Sequence, residues 1–216
     1  MPGSSLWLIA GKDDEPFNKS LKELIGSTLP SNFPHAPKRN FIPHVTITSD
    51  IDPSKTYASS SSPQEWLDGL SLPEFKKESN EVNVELEQLE AGEPFFKKVT
   101  LRAAKDANLL KLAAACRQQG LVLSEGDAKS WAENDYLPHL SLFYGDIPQS
   151  EVQKKIGLIE LQLGFEFGSL FDCCGGTLAM GAKLVLVDTS KSIEDWTPIA
   201  ERDCPWVMWK MAKGLL

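Results

Sequence analysis

The chain has 216 residues, which is enough to bury a sizeable core without disulfide or metal crosslinks. Hydrophobic residues make up 42% and charged residues 24%, as is usual for a soluble globular protein, and no apolar run approaches the roughly 20 residues that a membrane-spanning helix needs. The net charge of -8 argues against a stable complex with a long nucleic acid, which depends on many Lys and Arg contacts to phosphates, but not against a small anionic ligand. We therefore expect a soluble intracellular protein, monomeric, with one domain of two lobes over residues 1–216.

The four cysteines, Cys116, Cys173, Cys174 and Cys204, have no CxxC spacing and no histidine at the spacing of a zinc ligand. We therefore expect no structural metal and no cofactor. Cys173 and Cys174 stay open as a redox pair, although free cysteines of an intracellular chain are usually buried and reduced. None of the four is assigned a catalytic role.

The first part of the chain alternates strand and helix patterns. A short apolar run predicts a strand over residues 5–10, and apolar residues at helical spacing predict a helix over residues 17–29. Pro30 and Pro34 are expected to end that helix, because proline lacks the backbone donor that a helix interior needs. A second strand is predicted over residues 42–48.

A loop, a short helix and a hairpin follow. Residues 52–63 include four consecutive serines at 59–62 and predict a mobile surface loop, after which residues 64–70 predict a short helix. Alternating apolar residues over 82–86, followed after a turn by an apolar run over 96–101, predict an antiparallel hairpin.

The second half begins with the strongest helix pattern, over residues 105–119, with Gly120 at its expected C-terminus. A strand over residues 137–144 and a helix over residues 149–161 are predicted next. The remaining strand-like segments are residues 165–171, 177–178, 183–187 and 206–211. Together these patterns predict an α+β fold of two lobes, each a small antiparallel sheet with helices on its outer side. We expect the lobes to be related by approximate two-fold symmetry around a central cleft.

Two five-residue segments of the sequence share one pattern. Residues 43–47 and residues 138–142 both read proline, histidine, apolar, hydroxyl, apolar. In a strand, alternate side chains share a face, so His44 lies with Thr46 and His139 lies with Ser141. The remaining histidine, His35, lies between prolines without such a hydroxyl and is interpreted as a loop residue.

Two histidines and two hydroxyls around one cleft suit a tetrahedral oxyanion such as a phosphate. The hydroxyls of Thr46 and Ser141 can donate hydrogen bonds to phosphate oxygens. His44 and His139 can act as a general acid and a general base, because the imidazole pKa of about 6.5 permits either task near neutral pH. This chemistry requires no metal ion.

The two motifs, with the opening residues 5–8 and the segment 138–144, resemble those of the two-histidine phosphoesterase superfamily, and within it the fungal and plant cyclic nucleotide phosphodiesterases. The resemblance implies hydrolysis of nucleoside 2',3'-cyclic phosphates to 2'-phosphates. It also implies hydrolysis of ADP-ribose 1'',2''-cyclic phosphate, a by-product of tRNA splicing, to the 1''-phosphate. His44 and His139 would be the acid-base pair, Thr46 and Ser141 would bind phosphate, and Tyr144 would lie near the substrate. The resemblance to fungal relatives also leaves an association with the Golgi open, and otherwise we expect a cytoplasmic protein.

Tyr144 has an odd offset from Ser141, so it reaches the cleft only through a twist, a bulge or the end of the strand. Candidate stacking faces for a nucleobase are Trp131, Tyr136, Tyr144 and Trp7, of which Trp7 is interpreted as a core residue.

Local positive charges occur near the motifs, at Lys38, Arg39, Lys97, Lys98 and Arg102, and most of them are expected to lie on a solvated face. Two other functions remain open at this stage. One is an RNA-end-processing or 2'-5' phosphodiesterase, which would need oligonucleotide substrates. The other is a nucleotide-binding module that lacks turnover.

Overall fold

The computed structural model describes residues 3–11, 15–58, 62–75 and 81–215, without the side chains of residues 170, 171 and 173. The sheet structure of these residues consists of seven strands. The strands are β1 (Ser4–Ala10), β2 (Val45–Ile51), β3 (Val82–Ala91), β4 (Val99–Ala103), β5 (His139–Phe143), β6 (Thr177–Asp188) and β7 (Pro198–Met211). They form one closed barrel in the order β1-β2-β5-β4-β3-β7-β6. All neighbours are antiparallel except β3 and β7.

This barrel shows that the expected architecture of two separate small sheets with two-fold symmetry is wrong. The two motif strands are direct neighbours, because Val45 of β2 pairs with Leu140 of β5. The barrel closes through β6 and β7, which pair with each other and with β1 and β3 respectively. The sequence predicted only short separate strands in this region, since Gly181 and polar residues interrupt the apolar pattern of both long strands.

The described helices are α1 (Pro16–Glu23), α2 (Leu29–Asn32), α3 (Pro63–Asp68), α4 (Ala107–Leu121), α5 (Glu125–Asn134) and α6 (Gln149–Cys174). A π-helical segment, Leu24–Thr28, joins α1 to α2. The helical stretch therefore continues past Pro30, which lies in the first turn of α2, directly after the π-helical turn. The expectation that Pro30 ends the helix is wrong.

The short helix predicted after the serine-rich segment is confirmed as α3. It begins with a capping box, in which the Ser62 hydroxyl accepts from the Glu65 amide and the Glu65 carboxylate accepts from the Ser62 amide. Of the mobile surface loop expected over residues 52–63, residues 59–61 lie outside the described residues. Before them, Pro53–Lys55 form a turn of 3-10 helix and Tyr57 is buried.

The predicted strand over residues 165–171 is wrong, because these residues belong to α6. Ile159, Leu163 and Phe167 are fully buried at intervals of four residues, which is a helical period. Helix α4 is confirmed, but Gly120 lies inside it. A Cβ there would lie 3.1 Å from the Ile51 side chain, so glycine permits close packing of α4 on β2 rather than ending the helix.

Helix α5 was not predicted from the sequence. It is mostly polar, and Ala128 and Ala132 are the buried residues within it. Its N-terminus is capped by the Ser124 hydroxyl, which accepts from the Asp127 amide. In the part of the chain described, no helix has the length and apolar character needed to cross a membrane.

Candidate active site

The pairing of β2 with β5 brings the two motifs together. Since Val45 lies opposite Leu140, the antiparallel register places His44 opposite Ser141 and Thr46 opposite His139. Val45 and Leu140 are fully buried on one face of the sheet. The four polar side chains share the other face and line one cavity of about 230 Å³.

Strand β1 adds an aromatic wall to this cavity. Trp7 pairs with Thr46 in the sheet, and its indole stacks on the imidazole of His44 with ring centroids 3.7 Å apart and planes 8° apart. Trp7 is only 2% exposed, which confirms that it is a core residue. It also fixes the plane of the His44 ring.

Both imidazoles are oriented by backbone carbonyls. His44 Nδ1 lies 2.6 Å from the Ile42 carbonyl oxygen, and His139 Nδ1 lies 2.8 Å from the Leu137 carbonyl oxygen. A carbonyl only accepts, so each Nδ1 carries the proton and donates it. In the neutral rings, Nε2 is therefore the nitrogen with a free lone pair, and it is available to take a proton.

The histidine pKa values are shifted downward. Burial lowers the pKa of His44 from 6.5 to about 4, assisted by the nearby His139 and opposed by the hydrogen bond to Ile42. Burial also lowers the pKa of His139, with a further lowering by the charge of Lys97 and an opposing effect of the Leu137 carbonyl. Both rings are therefore neutral at pH 7 when the cavity holds no anion.

Hydroxyl groups lie on the same face. Ser141 Oγ donates to the Phe96 carbonyl at 3.0 Å, and the Tyr144 hydroxyl lies close to Ser141. Burial raises the pKa of Tyr144, so its hydroxyl stays protonated. Strand β5 ends at Phe143, and Tyr144 follows it into the cavity lining. Because Tyr144 lies just past the end of the strand, it can reach the same cavity as Ser141 although the two residues are three positions apart.

Beside His44 the cavity is lined by aromatic residues, namely Trp7, Phe96, Tyr144 and Trp196. Trp196 contacts Trp7 and Tyr144 edge to face, and it stacks loosely on Phe96. It comes from the connection between β6 and β7. Sequence reasoning missed Trp196, because no local pattern marks a loop residue that reaches the cavity only after the barrel has closed.

Of the described residues that line the cavity, Lys97 is the one lysine or arginine. The other positive residues named from the sequence have different surroundings. Arg39 and Arg102 form ion pairs with glutamates, Lys98 is buried and donates to a backbone carbonyl, and Lys38 lines a separate groove. Lys97 is thus the positive charge placed next to the histidines.

The other end of the cavity includes Trp131, Asp135 and Tyr136. Tyr136 is buried, and its hydroxyl donates to the Thr46 carbonyl at 2.9 Å, so it supports the motif strand. Trp131 is partly buried. His35 lies away from this site, with its Nε2 3.0 Å from a Glu151 carboxylate oxygen.

Cys116, Cys174 and Cys204 lie outside the cavity lining. Cys116 and Cys204 are buried, and burial raises the pKa of both thiols, that of Cys204 to about 12. Cys174 is exposed, and the side chain of Cys173 lies outside the described residues. Among the residues that the structure describes, no three His, Cys, Asp or Glu side chains are grouped to hold a metal ion.

Two oriented imidazoles and neighbouring hydroxyls in one cavity define a candidate phosphoesterase. Residues 1–204 match the family model described as cyclic phosphodiesterase-like protein. The chain belongs to this family, which confirms the family resemblance predicted from the motifs.

Curated fungal relatives cover nearly the whole chain. A 2',3'-cyclic-nucleotide 3'-phosphodiesterase of Phaeosphaeria nodorum is 40% identical over 209 residues, covering 94% of this chain and 100% of that protein. Proteins of the same name from Neurospora crassa and Yarrowia lipolytica are 32% and 26% identical. The Neurospora alignment covers 94% of this chain and 99% of its relative, and the Yarrowia alignment covers 93% and 99%.

Proposed function

We propose that this protein hydrolyses nucleoside 2',3'-cyclic phosphates to nucleoside 2'-phosphates. The observation that supports the proposal most directly is the pair of imidazoles in one cavity, each with Nδ1 held by a carbonyl and Nε2 left for proton transfer. The names of the fungal relatives support the same substrate class.

The cyclic phosphate would lie between His44 and His139. Thr46 would donate a hydrogen bond to a non-bridging oxygen, and Ser141 would donate another once its hydroxyl turns from the Phe96 carbonyl to the phosphate, with Tyr144 beside it. The negative charge of the phosphate favours protonation of an imidazole beside it. Binding would therefore convert a pair of neutral histidines into one neutral and one protonated ring, which is the state that acid-base catalysis needs.

In the chemical step, water attacks phosphorus in line with the departing 3'-oxygen. The neutral imidazole accepts a proton from water at Nε2 as the new O–P bond forms. The protonated imidazole donates its Nε2 proton to the 3'-oxygen as the P–O3' bond breaks. The product keeps phosphate on the 2'-oxygen, and no step of this scheme uses a metal ion. General acid-base assistance of this kind accelerates a reaction by about 10²- to 10⁴-fold.

We also propose that the site hydrolyses ADP-ribose 1'',2''-cyclic phosphate to the 1''-phosphate. In both substrates phosphate bridges two neighbouring ribose oxygens in a five-membered ring. The reacting group is therefore a ribose cyclic phosphate in both cases, and the two substrates differ in the group attached to that ribose.

Phosphorus NMR tests both substrates in one format. The protein is incubated with each cyclic phosphate in excess EDTA, and the position of the product phosphate is read from its resonance. We expect adenosine 2',3'-cyclic phosphate to give adenosine 2'-phosphate and no 3'-phosphate. A 3'-phosphate product, or persistence of the cyclic compound, would overturn the proposed reaction. If the adenosine compound is hydrolysed and ADP-ribose 1'',2''-cyclic phosphate is not, only the proposed activity on the ADP-ribose compound is overturned.

A further inference from the structure

The cavity continues beyond the histidines in one direction along β2. Thr48 and Ser49 line it together with Trp131 and Asp135. Thr48 lies two residues beyond Thr46, or about 7 Å along an extended strand. This distance leaves room for the sugar and base of a nucleotide whose phosphate lies at the histidines. The four residues form what we call the distal end of the cavity.

Trp131 presents a supported aromatic surface at the distal end. The Arg117 guanidinium lies 4.0 Å from the centre of the indole ring, and Arg117 is not among the residues that line the cavity. Arg117 is itself held by a hydrogen bond of 3.4 Å to the buried Thr48 hydroxyl. Arg117, from outside the cavity, and Tyr136, with ring centroids 5.0 Å apart, thus pack against the indole, and the part of the indole that lines the cavity stays open to a ligand.

The aromatic residues beside His44 are less suited to receive a base. Trp7, Tyr144 and Trp196 are at most 5% exposed and pack against one another. Phe96 turns its face toward Trp196, with the ring planes 29° apart. An aromatic plane stacks on any nucleobase, so the half-buried Trp131 offers the surface and another group must provide selectivity.

The side chain of Asp135 is the group beside Trp131 that can select between bases. This side chain is exposed and lines the distal end, and its charge acts on that of Arg117, but within the described part of the chain it has no hydrogen bond or ion pair. The backbone amide of Asp135 donates to the Trp131 carbonyl at 2.9 Å, so Asp135 lies one helical turn after Trp131 and the two side chains are neighbours. An ionised carboxylate only accepts hydrogen bonds, and it can accept two parallel ones.

We infer that Trp131 and Asp135 form a guanine-binding subsite and that guanosine 2',3'-cyclic phosphate is the preferred nucleoside substrate. The Watson–Crick edge of guanine presents two adjacent N–H donors, N1–H and the N2 amino group, which match the two carboxylate oxygens. Adenine, cytosine and uracil each offer one donor beside at least one acceptor, and an acceptor repels the carboxylate. This inference rests on the proposed function for the position of the phosphate.

Kinetics with four substrates test the preference. We expect kcat/KM for the guanosine compound to exceed that for the adenosine, cytidine and uridine compounds by about tenfold, as is usual for a bidentate base contact. The Asp135→Asn variant, which keeps the shape of the side chain, should reduce the guanosine value about tenfold and leave the others within about threefold. Asp50→Asn is the matched control, because Asp50 also acts on the Arg117 charge and does not line the cavity, and the asparagine keeps an oxygen that accepts from the Ser49 hydroxyl.

Calorimetric binding of guanosine 2'-phosphate and adenosine 2'-phosphate provides a readout that does not require turnover. We expect the wild type and the Asp50→Asn variant to bind guanosine 2'-phosphate more tightly than adenosine 2'-phosphate, and we expect Asp135→Asn to lose this difference. That result supports the subsite even if no cyclic phosphate is hydrolysed. In that case the proposed reaction fails and the subsite stands. Equal binding and equal kcat/KM for all bases in the wild type, or a guanine preference that survives Asp135→Asn, would overturn the inference while leaving the proposed reaction intact.

Discussion

The imidazole of His44 lies flat against the indole of Trp7, with 3.7 Å between ring centroids. This contact comes from the register of β1 on β2, in which Trp7 pairs with Thr46. Trp7 therefore has two roles, since its indole fills the core and also holds the candidate catalytic ring of His44 in place. The contact also excludes water from His44, which is 5% exposed.

Substitution of Trp7 should therefore affect both stability and the state of His44. We expect Trp7→Leu to reduce the free energy of unfolding by about 2–4 kcal/mol, because it leaves a cavity in the core. Entry of water should raise the pKa of His44 above its present value of about 4, toward the ordinary value of 6.5. Urea denaturation and NMR titration of the His44 ring measure the two effects. Trp7→Phe, which keeps an aromatic face, is the control, and an unchanged His44 pKa in Trp7→Leu would contradict this role.

The lowered pKa of His44 also predicts how stability depends on pH. The unfolded chain protonates His44 at a pKa near 6.5 and the folded protein at about 4, so between these values the unfolded state binds more protons. Stability should thus be lost as pH falls from about 6.5 to about 4, by about 3 kcal/mol from this group.

Urea denaturation at a series of pH values, on the wild type and His44→Asn, isolates this contribution. Asparagine does not titrate, so the variant should show a shallower loss of stability on the acid side. His35→Asn serves as the control, since His35 is exposed and outside the cavity. Parallel pH dependences for the wild type and His44→Asn would show that burial does not lower the His44 pKa.

Thr46 tests the proposed contact to phosphate. Thr46→Val keeps the shape of the side chain and removes the hydroxyl, whereas Thr46→Ser keeps the hydroxyl and removes a methyl group. We expect Thr46→Val to lower kcat/KM for a cyclic nucleotide by about 10- to 100-fold, the cost of losing a hydrogen bond to a charged group. Thr46→Ser should remain within about threefold of the wild type. Equal activity of the two variants would argue against a contact between this hydroxyl and the substrate.

Lys97 is expected to act on both the substrate and His139. Its positive charge lowers the pKa of His139, so Lys97→Gln should raise that pKa and move the limb of the pH profile of kcat/KM that reports His139 to higher pH. KM should also rise, because the cavity loses a positive charge that attracts the anionic substrate. Lys111→Gln is the control, since Lys111 is an exposed lysine in a different groove. A profile that does not move in Lys97→Gln would contradict the coupling.

The parts of the site that the sequence predicted are those set by neighbouring residues. Alternation along β2 places His44 and Thr46 on one face, and alternation along β5 does the same for His139 and Ser141. The two side chains of each motif lie on one face of their strand even though the predicted architecture was wrong. Whether the two strands lie in separate lobes or side by side, the same four side chains meet.

The parts that the sequence did not predict depend on distant contacts. Closure of the barrel requires β6 to pair with β1 across most of the chain, and no local pattern specifies that pairing. Trp196 reaches the cavity only as a result. The C-terminal half of α6 is rich in leucine, glycine and phenylalanine, which resembles a strand locally, and only packing of one face on the barrel defines it as a helix.

The central claim, that His44 and His139 form the catalytic pair, is tested most directly by His44→Asn and His139→Asn. The asparagine amide nitrogen can replace Nδ1 as donor to the Ile42 or Leu137 carbonyl, while Nε2 is removed. We predict that each variant retains a cooperative urea transition and loses at least about 10²-fold in kcat on guanosine 2',3'-cyclic phosphate. A folded variant that hydrolyses this substrate at the rate of the wild type would contradict the claim.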